Sequence, residues 1–309
     1  MYPRNFVKDS KLFSLKRIST LVMLCFFTIN TISAKIPKEE KKALLDLYRS
    51  TNGAHWVKKW NLNAPVSKWY GVKIKDDHVV EINLFRNNLM GKIPESMNKL
   101  SYLKVLNLAF NNITGELPEN IMLLSQLKIL KLEMNRLTGP IPNAIGKLKN
   151  LEELTLFNNF ISGHIPNSIG EISKLKVLNL SSNNIIGRIP TALGNLVQLE
   201  SLGLFENSLY GEIPSEMGNL SKLRELVLAN NQLGGDIPVE FGQLASLEVL
   251  QIQNNQFNSF ENLQMMDSRQ FLAFDYDGFN KEDNKAGFKE INFNKTRMAD
   301  TKFEDEDND

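Results

Sequence analysis

Few ionisable residues of this 309-residue chain are placed to do chemistry. Three histidines, His55, His78 and His164, occur at no spacing expected of metal ligands or of a nucleophile with its base. The run Asp76-Asp77-His78 has ligand-type side chains, but a turn before a strand explains it equally well. The glycines recur as turn residues, and none forms a phosphate-binding loop. We therefore predict no enzymatic activity, no metal site and no cofactor.

A second set of residues is better suited to binding. Asparagine recurs every 24 residues, and the two columns before it contain four phenylalanines and a methionine with charges nearby. Apolar side chains on an exposed surface, rimmed by charges, are typical of a protein or peptide interface. Cross-strand packing that only stiffens the sheet is the alternative. The predicted ligand-binding residues are Phe85, Arg86, Phe110, Lys131, Glu133, Met134, Phe157, Phe205 and Glu206.

The elements that would position these residues follow from the repeated frame. Alternating L-x-L residues, as in Leu130 and Leu132, predict a short strand with one buried face, and stacked units predict a parallel sheet. The asparagine side chain would turn inward and bond backbone groups of its own and the next turn, which predicts a ladder. The ladder positions are Asn87, Asn111, Asn135, Asn159, Asn183, Asn207, Asn231 and Asn255.

Each unit continues with a Gly-x-Ile-Pro element. The glycine permits positive φ, the isoleucine is expected to be buried, and proline suits an extended segment at the side. A second apolar pair, such as Ile145 and Leu148, is expected to close the coil on the convex side. These residues are assigned structural roles only.

The full pattern L-x-x-L-x-L-x-x-N-x-L-x-G-x-I-P, read for example over 106–118 and 178–190, resembles the plant-type class of leucine-rich repeats. That class occurs in receptor-like kinase ectodomains and polygalacturonase-inhibiting proteins. The resemblance implies an α/β solenoid, a right-handed superhelix with a concave parallel sheet and a second short sheet at its side. About eight repeats are predicted over residues 80–263, followed by a shortened repeat or cap at 264–280 with a ninth strand at Leu272–Asp277.

An N-terminal cap is predicted over residues 35–79. Residues 38–52 form an amphipathic pattern that Gly53 can terminate, and Trp56, Trp60 and Trp69 follow. The tryptophans are expected to seal the first repeat, although such a cluster also suits sugar stacking. Ser67 and Ile74 stand where the plant cap has cysteines, so this cap resembles that of cysteine-free exported bacterial repeat proteins.

The two ends predict export and a solvated tail. Residues 1–34 have a basic start and a short apolar stretch and read as a secretory signal peptide; the only cysteine, Cys25, lies there. Cleavage leaves a net charge of about −3, with nothing basic enough for nucleic acid and no later membrane anchor. Residues 281–309 are charged and read as a disordered tail.

Three functions are compatible with this sequence. The first is an exported, non-enzymatic recognition module, secreted or held at the cell surface, that binds a protein or peptide on its concave face. The second is a cell-envelope adhesin or polysaccharide-binding protein. The third, an inhibitor of a secreted hydrolase, follows only from the resemblance to polygalacturonase inhibitors.

Overall fold

The computed structural model describes residues 36–266 and 273–275. These residues form one helix, α1 (Lys38–Ser50), eighteen short strands and a series of 3-10 helices. The strands are β1 Val72–Lys75, β2 His78–Asn83, β3 Met90–Gly91, β4 Val105–Asn107, β5 Asn112–Glu116, β6 Ile129–Lys131, β7 Arg136–Pro140, β8 Glu153–Thr155, β9 Phe160–Gly163, β10 Val177–Asn179, β11 Asn184–Gly187, β12 Ser201–Gly203, β13 Ser208–Glu212, β14 Glu225–Val227, β15 Gln232–Asp236, β16 Val249–Gln251, β17 Gln256–Ser259 and β18 Ala273–Asp275.

The strands alternate between two sheets. The first sheet has the order β1-β2-β4-β6-β8-β10-β12-β14-β16-β18, with β1 antiparallel to β2 and every later pair parallel. Its register advances by 24 residues per strand, so that Leu106 faces Leu130 and Leu130 faces Leu154. The second sheet is parallel and has the order β3-β5-β7-β9-β11-β13-β15-β17. Each turn of the predicted solenoid therefore contributes one strand to each sheet.

A single-turn 3-10 helix closes each coil opposite the first sheet. It follows the proline of Gly-x-Ile-Pro, whose fixed φ and missing N–H suit the position before a helical turn. The sequence predicts an apolar pair here, and Ile145 and Leu148 are both buried. The 3-10 helices are Gly53–His55, Val66–Lys68, Glu95–Lys99, Glu119–Leu123, Asn143–Lys147, Asn167–Glu171, Thr191–Asn195, Ser215–Asn219, Val239–Gln243 and Glu261–Met265.

The core runs as one apolar column through the coils. Both apolar residues of each L-x-L unit are excluded from solvent. The same holds for Leu103, Leu127 and their equivalents, which lie three residues before the first residue of that pair. Burying one leucine side chain contributes about 1.5–3 kcal/mol, so each coil gains stability only when its neighbours cover it.

The positive φ predicted at the repeated glycines is observed, for example +75° at Gly139.

Helix α1 and the tryptophans cover the first coil. Leu44 and Leu47 are buried, as predicted, but the helix ends at Ser50 and the left-handed residue after it is Asn52 rather than Gly53. An asparagine tolerates that conformation because its short side chain bonds locally. Glu40 is buried, which the sequence pattern does not predict; it accepts a hydrogen bond from the Val79 N–H (2.8 Å) and lies 2.6 Å from Nδ1 of His78.

Several predicted segments lie partly or wholly outside the described residues. They are the signal peptide at 1–34, the tail at 281–309 and most of the terminal repeat at 264–280. Within that repeat, β18 pairs with β16 and so occupies the edge where a ninth strand is predicted. No helix in the described part of the chain has the length and apolarity to span a bilayer.

Candidate functional site

The asparagine ladder fixes the turn that follows each strand of the first sheet. Asn111 donates from Nδ2 to the carbonyl oxygens of Leu84 (2.9 Å) and Leu108 (2.8 Å). Its Oδ1 accepts from the N–H groups of Asn87 and Leu89, each at 2.9 Å. The side chain thus bonds backbone of its own coil, as predicted, and of the preceding coil. The predicted side-chain bond to the next coil is wrong.

The backbone explains that direction. The N–H groups of Phe110 and Asn111 already donate forward, to the carbonyl oxygens of Glu133 (3.0 Å) and Met134 (3.2 Å) in the next coil. The side chain is left to satisfy the backbone groups of the coil behind it, where unpaired buried N–H groups would be costly. The first ladder residue, Asn87, bonds the backbone of Lys58 and so extends the ladder into the cap.

The residue directly before each ladder asparagine has a left-handed backbone. Its φ lies between +49° and +57° in all eight coils. This conformation costs most residues about 1–2 kcal/mol and costs asparagine less. The repeat pattern alone does not predict this backbone constraint, although asparagine at three of the eight positions is a signal for it. The column is Arg86, Phe110, Met134, Asn158, Ser182, Glu206, Asn230 and Asn254.

The predicted aromatic residues line the end of the first sheet, but to different depths. Phe85 is 39% exposed and Met134 38% exposed, whereas Phe110, Phe157 and Phe205 are half-buried. The rings of Phe85 and Phe110 are in contact, with centroids 5.1 Å apart and planes tilted by 59°. Part of this apolar surface therefore stiffens the sheet, and part of it remains accessible to a ligand.

Glu133 lies beneath the surface on which it was expected to form a charged rim. Only 2% of the residue is exposed, and its Oε2 accepts a hydrogen bond from the Thr155 hydroxyl. Desolvation raises the pKa of the Glu133 carboxyl, and the Thr155 hydrogen bond opposes part of that rise. Lys131, the last residue of β6, pairs instead with Glu153 at 2.8 Å. Charge at the centre of the surface is thus largely neutralised internally.

Charges at the two ends of the same surface lack such ion pairs. Among the described residues, no carboxylate lies within 4 Å of the exposed Arg86 guanidinium. Glu206 accepts a hydrogen bond from the Ser182 hydroxyl (2.7 Å), and Glu225 accepts one from the Ser201 hydroxyl (2.7 Å). Neither of these two glutamates has a cationic partner in the described part of the chain.

A shallow groove runs along the edge of this surface, where the first sheet turns into the second. It contains Met134 and Glu206 of the predicted set together with Arg136, Asn158 and Phe160. Arg136 and Phe160 begin strands β7 and β9 and are exposed. Neither residue is in the predicted binding set, although each directly follows a ladder asparagine, so that the two share one further column of the repeat.

Comparison with known proteins agrees with this geometry. The family description that matches is a leucine-rich repeat region, over residues 83–181 and 159–291. The two matches together span more than half of the chain, and they contain all eight asparagines of the ladder. The chain belongs to the leucine-rich repeat family. Its fold class, predicted from the 24-residue frame, is thereby confirmed.

Two plant receptor ectodomains are among the solved structures that this leucine-rich repeat protein resembles. The ectodomain of the Arabidopsis thaliana receptor kinase GASSHO1/SCHENGEN3, solved with CASPARIAN STRIP INTEGRITY FACTOR 2, is 32% identical with a TM-score of 0.72. The match covers 76% of this chain and 29% of that one. The Arabidopsis receptor kinase HAESA, solved with the peptide hormone IDA and the co-receptor SERK1, is 31% identical with a TM-score of 0.65. That match covers 80% of this chain and 41% of HAESA.

A curated relative is the polygalacturonase inhibitor of Vitis vinifera. It is 30% identical over 102 residues, which are 32% of this chain and 31% of the inhibitor. The leucine-rich repeat protein therefore spans less than half the length of these relatives. The predicted resemblance to receptor ectodomains and polygalacturonase inhibitors is confirmed.

The cap residues considered for other chemistry have structural roles. Trp56, Trp60 and Trp69 are buried, and each indole N–H donates to a backbone carbonyl of the cap at 2.8–3.2 Å. Trp60 stacks on Trp69 with centroids 4.7 Å apart. The tryptophans thus seal the first coil and offer no face to a sugar.

The possible cation site has turn geometry. Asp76 and Asp77 both have positive φ, between strands β1 and β2. No group of three or more histidine, cysteine or acidic side chains in the described ranges is arranged to hold a metal ion.

Proposed function

We propose that this leucine-rich repeat protein is an exported recognition module that binds a protein segment or peptide across the end of its first sheet. The binding surface consists of the two columns before the ladder asparagines, with Phe85, Phe110 and Met134 as apolar anchors. The receptor ectodomains that the chain resembles were solved with partners, one of them a peptide hormone, and they support this class of ligand.

One observation carries the proposal. The left-handed column favours asparagine in every coil, yet five of its eight positions have another residue: Arg86, Phe110, Met134, Ser182 and Glu206. Nothing in the fold requires a bulky or charged side chain there, because the coils with asparagine have the same backbone. Strained backbone positions concentrate at binding sites. Residues that cost stability and face outward are best explained by recognition.

The test is to select ligands and then remove the anchors. Random dodecapeptides are displayed and selected against the immobilised full chain, and the affinity of the enriched peptides is measured by fluorescence anisotropy. The variant Phe85→Ser/Phe110→Ser/Met134→Ser is expected to weaken binding at least a hundredfold, because anchors of this kind dominate interface energies.

A control changes three exposed apolar residues elsewhere. Ile186, Tyr210 and Val239 are 45%, 47% and 51% exposed and lie outside the first sheet. Their combined change to serine is expected to leave affinity within twofold. Equal losses in both variants, or no enrichment of any peptide, would refute the proposed site.

Export has its own test. The signal-peptide interpretation predicts that the secreted chain begins at Lys35, directly after Ala34. Expression with the native leader, followed by N-terminal sequencing of the protein in the medium or envelope fraction, measures this. Retention of the intact leader in a cytoplasmic fraction would contradict export.

A second candidate is inhibition of a secreted polysaccharide hydrolase. The 102-residue match to a polygalacturonase inhibitor favours it. Adding the purified chain to a panel of secreted polygalacturonases should then slow the release of reducing sugar in proportion to chain concentration. Undiminished rates at micromolar chain would remove this candidate and leave the peptide proposal intact.

A further inference from the structure

The charges that flank the binding surface are unequally distributed along the solenoid. At the cap end, Arg86 is exposed and has no carboxylate partner among the described residues, while the Lys58 ammonium lies over the Tyr70 ring, 4.5 Å from its centroid. Five and six coils later, Glu206 and Glu225 each accept a hydrogen bond from a serine hydroxyl, and neither has a cationic partner among the described residues. Between the two ends, Lys131 is neutralised by Glu153. The surface is therefore cationic at one end, anionic at the other and close to neutral between them.

A second column of side chains has the same polarity. The residues that enter the strands of the first sheet are Lys104, Lys128, Glu152, Lys176, Glu200, Arg224 and Glu248. Glu152 is shared between Lys128 (2.7 Å) and Lys176 (3.2 Å), and Arg224 pairs with Glu248. Positive charge is in excess over the first coils and negative charge over the last, so two independent columns agree.

We propose, building on the function proposed above, that the ligand is an extended peptide segment whose acidic group lies at Arg86 and whose basic group lies at Glu206 and Glu225. Oppositely charged groups fix the register and direction of a bound segment more than they add affinity. Apolar side chains of the segment contact Phe110 and Met134 between the two ends.

The geometry sets the length of that segment. Five strand spacings of about 4.8 Å separate the coil of Arg86 from that of Glu206, which is about 24 Å. An extended chain advances about 3.3 Å per residue, so about seven residues separate the two charged groups, and about nine if Glu225 is the partner. A ligand whose acidic and basic residues are adjacent can form an ion pair at only one end of the surface.

The peptides selected on the full chain provide the test. Enriched sequences are expected to contain one acidic and one basic residue six to nine positions apart, with apolar residues between them. Exchanging the acidic and the basic residue within one peptide is expected to weaken its binding at least tenfold in anisotropy. Raising the salt concentration should reduce this difference, because exposed charges are screened.

Charge reversal in the protein locates the ends. The variant Glu206→Lys/Glu225→Lys is expected to bind the parent peptide at least tenfold more weakly. It is expected to bind a peptide whose basic residue is replaced by glutamate. Arg86→Glu is expected to accept a peptide whose acidic residue is replaced by lysine. The control Glu119→Lys/Glu216→Lys makes the same change in net charge on exposed 3-10 turns and should leave affinity within twofold.

The outcomes separate the two proposals. Peptides that bind equally well with their charges exchanged overturn the polarity and leave the proposed function standing. Failure to enrich any peptide overturns the proposed function, and the polarity falls with it. If a reversed variant does not fold, as judged by its circular dichroism melting curve, Glu206→Gln and Glu225→Gln decide the same question with a smaller expected loss of about threefold each.

Discussion

Two neighbouring columns of the solenoid, one residue apart in sequence, are under opposite constraints. The ladder column has asparagine in all eight coils. From Asn111 onward, each side chain bonds backbone of its own coil and of the preceding coil, and Asn87 bonds backbone of the cap. The column before it has a backbone equally suited to asparagine, yet it varies. The inward column is determined by folding, and the outward column departs from what folding favours. That difference is the basis of the recognition role proposed above for the outward column.

The largest expected effect is the loss of a central ladder residue. Asn135 donates to the carbonyl oxygens of Leu108 and Leu132 and accepts from the Ile113 N–H. Asn135→Ala leaves these buried groups unpaired, and the free energy of unfolding, measured in urea, should fall by about 2–4 kcal/mol. Asn184→Ala, one residue after a ladder asparagine and exposed, is the control. A loss below about 0.5 kcal/mol would show that the ladder is dispensable.

The outward column should respond in the opposite direction. Met134 has a left-handed backbone conformation, which asparagine adopts at a lower cost. The variant Met134→Asn is therefore expected to raise the free energy of unfolding by about 1 kcal/mol. The reverse change at an equivalent position, Asn230→Met, should lower it by a similar amount. The Met134 variant should also bind the selected peptides more weakly. A variant that is less stable than the parent would break the comparison between the columns.

Two carboxyl groups sharpen the comparison through their pH dependence. Burial raises the pKa of Glu133 above its ordinary value of 4.5, so the folded chain holds this proton more tightly than the unfolded chain does. The associated stability is present below pH 4.5 and is lost as pH rises through the folded pKa. Glu133→Gln removes this loss, so unfolding curves of parent and variant should diverge as pH rises from 4 to 8. Parallel curves would contradict the burial.

The smallest effect is expected at Glu152. Hydrogen bonds from Lys128 first, and then Lys176, lower the pKa of this exposed carboxyl. Its contribution is present above its ordinary pKa and is lost as pH falls through the folded value, which is opposite in sign to that of Glu133. Glu152→Gln should cost only a few tenths of a kcal/mol at pH 7, because surface ion pairs are solvent-screened. A cost above 1 kcal/mol would mean that this charged column is structural.

Much of the fold could be predicted from the repeat alone. Alternating leucines fix which face of each strand is buried, and a 24-residue period fixes which residues become neighbours, so the first sheet and the convex apolar pairs followed directly. The direction of the ladder did not, because it depends on which backbone N–H groups of Phe110 and Asn111 are already used in the assembled turn. The end of α1 at Ser50 likewise depends on Asn52 adopting a left-handed conformation.

The candidate site was less predictable than the fold. Its columns follow from the period, but the depth of each side chain does not: Glu133 is buried against Thr155, which lies 22 residues further along, while Met134 beside it is exposed. Arg136 and Phe160 enter the site only because the first sheet turns into the second at that edge.

The sequence by itself determined a stack of equal coils with an inward asparagine and an outward variable column, since both depend on residue type and spacing. Only the tertiary structure decided which outward residues have a left-handed backbone and that the Glu133 carboxyl group is buried. It also decided which charged side chains along the surface lack an ion-pair partner. Those properties arise from contacts between coils, and spacing along the chain does not specify what fraction of a side chain its neighbours bury.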